Sequence, residues 1–412
     1  MGGFGLLGER LTHSFSPFIH AELGGYEYCL YEKKPDELDE FLKHGGFDGL
    51  NVTIPYKKAV IPYCGILSET ARATGSVNTL TRLPGGNLYG DNTDFFGFSY
   101  LLKQAGVNPA DGKTVILGSG GSSLTVHAVL RDMNAKEITV VSRHGANNYA
   151  NIDRHRDAVM IVNTTPVGMY PNNGISPIAN IDAFENCRAV IDLIYNPART
   201  ELLLQAQERG MLTVNGLAML VAQAKKSAES FVNKTIPDGQ IEIITAKLAR
   251  KARNIILIGM PGCGKTSIGM ALAKKMGREF ADTDELIVQS ANKTIPAIFA
   301  GDGEDAFRAW ETNILGAVCK RSGLIIATGG GVVTRHENLN LMRQNGTVVF
   351  LDRDIGELPV SGRPLSLQNG IHALAENRLP LYRQWSEHTA PVCGVEQTAQ
   401  NISEWFCGGA AL

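Results

Sequence analysis

A glycine-rich segment carrying a lysine and a threonine, residues 259–266, is the clearest place for chemistry in this sequence. It reads Gly-Met-Pro-Gly-Cys-Gly-Lys-Thr and follows a short apolar run. Gly262 and Gly264 allow backbone N–H groups to point inward around phosphate oxygens. Lys265 can reach the β- and γ-phosphates of a nucleotide, and the Thr266 hydroxyl can bind Mg²⁺. The segment therefore predicts an ATP site between a strand and a helix.

Two carboxylates beyond this loop could serve a phosphoryl acceptor. Asp282 and Asp284 stand two residues apart after an apolar position, so we expect a strand end with both side chains on one side. One carboxylate can order magnesium-bound water while the other takes a proton from a substrate hydroxyl. Four further motifs follow in order, at residues 303–308, 329–331, 363–365 and 378–382.

From about residue 253 to 390, the ordered set of motifs resembles the shikimate kinase family. The resemblance implies a three-layer α/β/α P-loop domain that transfers phosphate from ATP to shikimate with Mg²⁺. It implies that Lys265 acts in catalysis and that the residues around ATP and the metal are Gly262, Gly264, Lys265, Thr266 and Asp282.

The same resemblance implies how shikimate is held. Asp284 would position the attacking hydroxyl, and Arg363, in a lid, would neutralise the transferring phosphoryl group. The remaining substrate ligands would be Arg308, Gly330, Gly331 and Arg378. The stretch between residues 352 and 363 is shorter than in the family, which leaves open a domain that binds ligand but is weakly active or regulatory.

A second glycine-rich turn, at residues 118–122, also lies between an apolar run and a helical pattern. Such a turn suits the pyrophosphate of a dinucleotide. The next predicted strand, residues 137–141, ends in Ser142-Arg143, where a site for NAD would usually have an acidic residue. Arg143 could bind a 2′-phosphate, which favours NADP(H), although an exposed arginine in a turn is the alternative.

Polar motifs lie on both sides of this turn, at residues 13–17, 51–57, 75–79, 90–94, 163–169, 192–197 and 215–223. Together they resemble the shikimate dehydrogenase family along nearly all of residues 3–248. The resemblance implies a catalytic pair, Lys57 and Asp94, which would move the proton that ketone reduction requires. Without that resemblance, a helix N-cap would be an equally good interpretation of Asp94. The implied substrate ligands are Ser14, Ser16, Thr53, Asn78, Tyr195 and Gln223. The implied cofactor ligands are Gly118, Gly120, Gly121, Ser142, Arg143, Leu193 and Gly216.

The elements that must position these residues alternate between strand and helix, which predicts α/β architecture with parallel sheets. The 412 residues are enough for several domains. We expect a substrate domain at 1–94 completed by 217–250, a Rossmann-like NADP domain at 95–216, and the P-loop domain at 253–412. A short helix is predicted around residues 241–248, next to the boundary.

Bulk composition narrows the remaining classes of function. The net charge of −2 argues against a general nucleic-acid binder. No run long enough to span a membrane and no signal peptide is apparent, so we expect a cytoplasmic enzyme. The two resemblances imply that it acts in aromatic amino acid biosynthesis. Its partners would be 3-dehydroshikimate and shikimate, its cofactors NADP(H), ATP and Mg²⁺. A quinate- and NAD-dependent dehydrogenase is the alternative for the first half, and the oligomeric state stays open.

Overall fold

The first of three sheets in the described chain is mixed and belongs to its N-terminal part. The structure, a computed structural model, describes residues 3–11, 14–358 and 370–408. The strand order is β2-β1-β3-β5-β6-β4, in which β5 is antiparallel to β3 and β6. The strands are β1 Gly3–Gly8, β2 Tyr28–Glu32, β3 Phe47–Val52, β4 Cys64–Leu67, β5 Thr79–Arg82 and β6 Leu88–Asp91. The helices are α1 Ser16–Gly24, α2 Leu38–His44 and α3 Glu69–Thr74.

A second sheet, entirely parallel, follows with the order β11-β10-β9-β7-β8. Its strands are β7 Lys113–Leu117, β8 Glu137–Val141, β9 Met160–Asn163, β10 Ala189–Asp192 and β11 Leu212–Asn215. The helices of this part are α4 Asp94–Gln104, α5 Gly121–Asp132, α6 Glu201–Glu208, α7 Leu217–Val232 and α8 Gly239–Ala252. The strand order reverses between β7 and β9, the place where open α/β sheets bind ligands at their carboxyl ends.

The third sheet is also parallel, with the order β13-β14-β12-β15-β16. Its strands are β12 Asn254–Ile258, β13 Phe280–Asp282, β14 Ile325–Ala327, β15 Gly346–Asp352 and β16 His388–Pro391. Its helices are α9 Lys265–Met276, α10 Thr283–Ala291, α11 Ile295–Gly301, α12 Gly303–Cys319, α13 Glu337–Arg343, α14 Ile371–Trp385 and α15 Val395–Cys407. Single 3₁₀ turns lie at Pro35–Glu37, Ile61–Tyr63, Pro109–Asp111, Ile181–Ala183, Val332–Thr334 and Ile355–Glu357, with a longer one at Tyr149–His155.

Strand burial explains why these sequences form sheets covered on both faces. All five residues of β12 are buried, and so is most of β7. A continuous apolar run is what a parallel strand between two helical layers requires. The predicted α/β class with parallel sheets is confirmed, as are the strands before both glycine-rich turns and the helix around residues 241–248.

By packing, the chain divides into two compact units. The N-terminal unit comprises Met1–Val167, Ser176–Tyr195 and Gln205–Lys247. The C-terminal unit comprises Gly168–Ile175, Asn196–Leu204 and Leu248–Leu412. The predicted three-domain bounds stay a prediction. No helix among the described residues is long and apolar enough to cross a membrane.

Candidate active sites

Lys57 and Asp94 meet in the N-terminal unit as an ion pair. Lys57 Nζ lies 2.6 Å from Asp94 Oδ2, and the two side chains are 25% and 13% exposed. Lys57 follows the turn after β3, whereas Asp94 is the first residue of α4, where a helix favours negative charge. The N-cap position belongs to Thr93, so the alternative of Asp94 as an N-cap is wrong. The pair is accessible to a small ligand yet largely withdrawn from water.

A group of amides lies beside Asp94. The Asn78 carboxamide oxygen accepts a hydrogen bond from the Thr93 backbone N–H at 2.8 Å, which ties it to the start of α4. Asn78 Nδ2 donates to Gln223 Oε1 at 3.4 Å, and Gln223 Nε2 donates to the Leu220 carbonyl at 2.8 Å. Asn78 and Gln223 are 145 residues apart in sequence, yet the fold brings them together. Thr93, which the sequence did not single out, belongs to this group.

Ser14, Ser16 and Thr53 follow the carboxyl ends of two neighbouring parallel strands, β1 and β3. Ser16 N donates to Ser14 Oγ at 3.2 Å, which fixes the two hydroxyl-bearing residues relative to each other. Phe15, between them, packs against Tyr195 with ring centroids 5.7 Å apart. Burial raises the pKa of Tyr195, so its hydroxyl stays protonated at neutral pH. The predicted substrate ligands therefore occur in two groups at one edge of the first sheet.

The second sheet carries the predicted dinucleotide residues at its carboxyl edge. Gly120 caps the N-terminus of α5 and Gly121 begins it; a Cβ at either would meet no heavy atom within 4 Å. That open space at a helix N-terminus fits a pyrophosphate. Gly118 follows β7 directly, and Ser142 and exposed Arg143 follow β8.

Leu193 and Gly216 come from separate strands and touch. A Cβ on Gly216 would lie 2.0 Å from the Leu193 carbonyl oxygen, so only glycine fits there. Leu193 follows β10 and Gly216 follows β11, which places both at the carboxyl edge of the sheet. The predicted cofactor residues thus gather where a Rossmann-like fold binds dinucleotides.

The P-loop of the C-terminal unit is built as the sequence predicts, with strand β12 before it and α9 after it. Lys265 is buried, and its ammonium donates to the carbonyls of Gly259 and Met260 at 2.9 and 3.0 Å. Thr266 Oγ1 donates to Asp282 Oδ2 at 2.7 Å. These two oxygens fit a hard cation such as Mg²⁺. No three His, Cys, Asp or Glu side chains gather into a metal cage within the described residues, so phosphate and water oxygens would complete the shell.

Asp282 and Asp284 do not share a strand, which corrects the expectation from their spacing. β13 ends at Asp282, whose Oδ1 accepts from the backbone N–H groups of Asp284 and Glu285 at 2.9 and 3.4 Å. Asp282 is thus the N-cap of α10, and Asp284 lies in its first turn. Burial, and then the charge of Asp282, raise the pKa of Asp284 to about 6.

A cavity of about 670 Å³ joins the predicted kinase residues. Among its lining residues are Gly262, Gly264, Lys265, Thr266, Asp282, Asp284, Arg308, Gly330, Gly331 and Arg378. All the predicted residues of this unit except Arg363 therefore face one space. Arg363 and residues 359–362 of the shortened stretch lie outside the described residues.

Two buried arginines flank the glycines of this cavity. Arg378 Nη1 donates to the Gly330 carbonyl at 3.2 Å, while a Cβ on Gly331 would lie 1.9 Å from Arg308 Nη1. Arg308 Nη1 also donates to Glu311 Oε2 at 2.7 Å. Glu311 is 1% exposed and lines the cavity, but the sequence analysis missed it. The i, i+3 spacing from Arg308 on one helix was the signal that could have found it.

Comparison with known proteins bears on both units. The family model for the shikimate dehydrogenase substrate binding domain matches residues 6–80. A shikimate dehydrogenase (NADP⁺) of Clostridium perfringens is 36% identical over 249 residues, which cover 55% of this chain and 90% of that relative. The chain belongs to the shikimate dehydrogenase family. A relative of the same description from Methanopyrus kandleri is 36% identical over 264 residues, or 57% of this chain and 91% of its own length.

Solved structures agree for the dehydrogenase part. A chorismate mutase/shikimate 5-dehydrogenase fusion protein of Clostridium acetobutylicum superposes with a TM-score of 0.58 at 36% identity, covering 61% of this chain and 98% of that one. The shikimate 5-dehydrogenase of Thermus thermophilus, solved with NADP(H) and shikimate, gives a TM-score of 0.54 at 29% identity, with 60% and 99% covered. Beyond the dehydrogenase part, the shikimate kinase family model matches residues 261–405. Two enzyme families are therefore fused in this chain.

Proposed function

We propose that the N-terminal unit reduces 3-dehydroshikimate to shikimate with NADPH. The Lys57–Asp94 ion pair in a member of this family is the observation that carries the proposal. Bound NADPH supplies the hydride. Lys57 gives the proton to the oxygen that was the ketone, while Asp94 holds the ammonium in place.

The surrounding residues then orient the substrate. Asn78 and Gln223, beside Asp94, hydrogen-bond its hydroxyls, and Ser14, Ser16, Thr53 and Tyr195 enclose the rest. Two close amides whose orientations are set by Thr93 and the Leu220 carbonyl lose little entropy when the substrate binds. Gly118, Gly120, Gly121, Ser142, Leu193 and Gly216 would hold NADP(H), with Arg143 beside its 2′-phosphate.

We propose in addition that the C-terminal unit phosphorylates shikimate with ATP. The shared cavity that unites Lys265, Asp284 and the two arginines supports this second activity. Bound Mg²⁺ neutralises charge between the phosphates. Thr266 and Asp282 hold that ion, Lys265 binds the transferred phosphate, and Arg308 with Arg378 grips the shikimate carboxylate. Asp284, with a pKa of about 6, is largely ionised at neutral pH and takes the hydroxyl proton. Arg363 would act from the lid.

A one-pot assay of the full chain with 3-dehydroshikimate, NADPH, ATP and Mg²⁺ tests both proposals together. NADPH loss and ADP formation are followed separately, and ADP should lag because shikimate must form first. NADPH loss without ADP, even with added shikimate, would contradict the kinase activity. It would leave the C-terminal unit as a binding or regulatory domain.

Crossed substitutions assign each activity to its own site. Lys57→Met should lower the dehydrogenase kcat about 10²- to 10⁴-fold, the range of general acid–base catalysis, and leave phosphorylation of added shikimate unchanged. The exposed neighbour gives the matched control, Lys58→Met, which should change neither rate.

The reverse substitution is Lys265→Ala. It should abolish ADP formation and leave NADPH oxidation intact, because the ammonium that would contact the transferred phosphate is removed. Lys274→Ala, an exposed position on α9, is its control. Loss of both activities in either active-site variant would show that the two sites do not work independently.

A further inference from the structure

Behind Ser16, the N-terminal unit contains an aromatic cluster that the proposed mechanism does not use. His20 lies on α1 one turn after Ser16 and is 1% exposed. Its ring stacks on Tyr28, with centroids 3.9 Å apart and planes 7° apart, and its Nδ1 is hydrogen-bonded to the Tyr26 hydroxyl at 2.5 Å. Burial lowers the pKa of His20 to about 3, so the imidazole is neutral throughout the physiological range. The cluster is therefore a fixed, uncharged support.

The two tyrosines of this cluster differ in where their hydroxyls point. Tyr26 bonds to His20. Tyr28 donates to Asn51 Oδ1 at 2.7 Å. The Tyr28 hydroxyl thus bonds to a residue of β3, whereas that of Tyr26 stays within the aromatic cluster.

From Asn51 the hydrogen bonds continue toward the second group of ligands. Asn51 Nδ2 donates to Thr79 Oγ1 at 3.4 Å, and Thr79 Oγ1 donates to Asn78 Oδ1 at 3.1 Å. Asn51, Thr79 and Asn78 are all buried, at 5%, 1% and 3% exposure. Buried polar groups in a satisfied network are held rigidly, since each lost bond leaves a partner desolvated. The path ends on the amide that meets Gln223.

We propose that Tyr28 is a positioning residue of the dehydrogenase site, whose hydroxyl holds Asn51 and, through Thr79, the amide of Asn78 in place. The proposal rests on the dehydrogenase function proposed above. It accounts for a tyrosine at a place where phenylalanine would provide the same stack on His20. Without the hydroxyl, Asn51 Oδ1 loses its donor, so the Asn51 amide can turn and the Asn78 amide at the end of the path is held less firmly toward the substrate.

The test compares Tyr28→Phe with Tyr26→Phe in the full chain. Both remove one hydroxyl from the same cluster, but only Tyr28→Phe removes the bond to Asn51, from which the path leads to Asn78. We expect the KM for shikimate to rise about 10-fold in Tyr28→Phe, while the KM for NADP⁺ stays at the wild-type value. Each variant loses one buried hydrogen bond, so the thermal midpoint should fall by a similar amount in both. Tyr26→Phe should leave both KM values unchanged.

A double substitution separates positioning from general loss of structure. If Tyr28 acts through Asn51, adding Tyr28→Phe to Asn51→Ala should raise the KM for shikimate by less than it does in the wild-type background. Additive effects, equal rises in both KM values, an unchanged KM in Tyr28→Phe or the same rise in Tyr26→Phe would each overturn the proposal. Wild-type turnover tests the dehydrogenase function by itself, so absence of that function is a separate result.

Discussion

Asp284 shows how one side chain can combine chemistry with a cost in stability. Its Oδ1 is buried and has no hydrogen-bond partner among the described residues, and it faces the cavity beside Gly329. Burial and the nearby Asp282 raise its pKa to about 6. A carboxylate held in this way is a stronger base than an exposed one, and no donor in the described part of the chain competes for its Oδ1.

The kinase rate should therefore depend on pH through Asp284. The base must be ionised to accept the hydroxyl proton, so kcat/KM should fall about 10-fold per pH unit below about pH 6. The measurement is phosphorylation of shikimate between pH 5 and 8 under saturating ATP and Mg²⁺. Asp284→Asn should abolish the activity, whereas exposed Asp305→Asn should keep the wild-type profile.

Asp284→Asn should also stabilise the C-terminal unit at neutral pH. An acid whose folded pKa is raised destabilises the fold once the pH exceeds its unfolded value of about 3.8. The penalty grows up to the folded pKa of about 6 and is constant above it. A shift of this size corresponds to about 2–3 kcal/mol. Thermal unfolding at pH 7.5 should show the gain, and repetition at about pH 3.5 should show none; a destabilised variant at pH 7.5 would contradict this account.

At the residue scale, the sequence predicted which side chains form the two sites but only some of the neighbours that they contact. The Lys57–Asp94 contact follows from residue types and a resemblance, and the structure shows the 2.6 Å pair. Glu311 was missed because a glutamate on a helix is usually exposed, and only folding shows that this one is buried against Arg308. Burial of a charged side chain depends on the tertiary packing around it, which spacing alone does not show.

At the element scale, the carboxylates of α10 show where spacing misleads. The sequence predicted that Asp282 and Asp284 lie in one strand, where side chains two residues apart point to the same side. The chain instead turns into a helix after Asp282, because an aspartate that accepts from two backbone N–H groups begins a helix well. The strand β13 is only three residues long, too short for a two-residue period to be read from the sequence.

The contact between α4 and α7 permits a test at the same scale. A Cβ on Gly97 of α4 would lie 2.8 Å from the Met219 carbonyl oxygen and 3.1 Å from Gln223 Cβ. Gly97→Ala should therefore push the helices apart, lower stability by about 1–3 kcal/mol and raise the KM for shikimate through Gln223. Thermal unfolding and steady-state kinetics measure both effects.

A helical glycine with room around it provides the control. Gly316 lies inside α12, and a Cβ there would make only ordinary contacts of 3.6 and 3.7 Å with Leu341. Gly316→Ala should be neutral or stabilising by about 0.5–1 kcal/mol, because alanine favours helix more than glycine does. If Gly97→Ala and Gly316→Ala changed stability by the same amount, helix propensity rather than the α4–α7 contact would determine the effect of Gly97→Ala.

At the scale of the whole molecule, the order of the two families could be predicted from the sequence, but not the membership of each packing unit. The segments Gly168–Ile175 and Asn196–Leu204 belong to the C-terminal unit. There the Asn345 side chain accepts from the Ala198 N–H at 2.9 Å, and Arg199 Nη2 donates to the Gly346 carbonyl at 3.0 Å. Nothing in the composition of these segments distinguishes them from other loops, because their partners lie about 150 residues later.

Arg199 allows this packing to be measured. Its side chain is 22% exposed, and it also lies 3.6 Å from a carboxylate oxygen of Glu387. Arg199→Ala should destabilise the C-terminal unit by about 1–2 kcal/mol, since the buried carbonyl of Gly346 loses a donor. Heat inactivation, with residual kinase and dehydrogenase activities assayed separately, should show earlier loss of the kinase.

Arg209→Ala is the matched control on a nearby stretch of chain. Arg209 pairs with Asp182 at 2.6 Å, but the two side chains are 38% and 66% exposed. Exposed ion pairs contribute at most about 1 kcal/mol, so neither activity should be lost earlier on heating. If heating inactivated the kinase of Arg199→Ala no earlier than that of Arg209→Ala, Asn196–Leu204 would contribute little to the stability of this unit.

The C-terminal unit is built from three separate segments of the chain, which affects how the fused gene could be divided during evolution. Genes that encode two enzymes in one chain can ordinarily be separated again by a single break between them. Here a break near residue 250 would separate Gly168–Ile175 and Asn196–Leu204 from the rest of the unit with which they pack. The C-terminal product would then lose the contacts that Ala198 and Arg199 make with it. Once such packing has evolved, recombination can duplicate or lose the pair more easily than it can divide it.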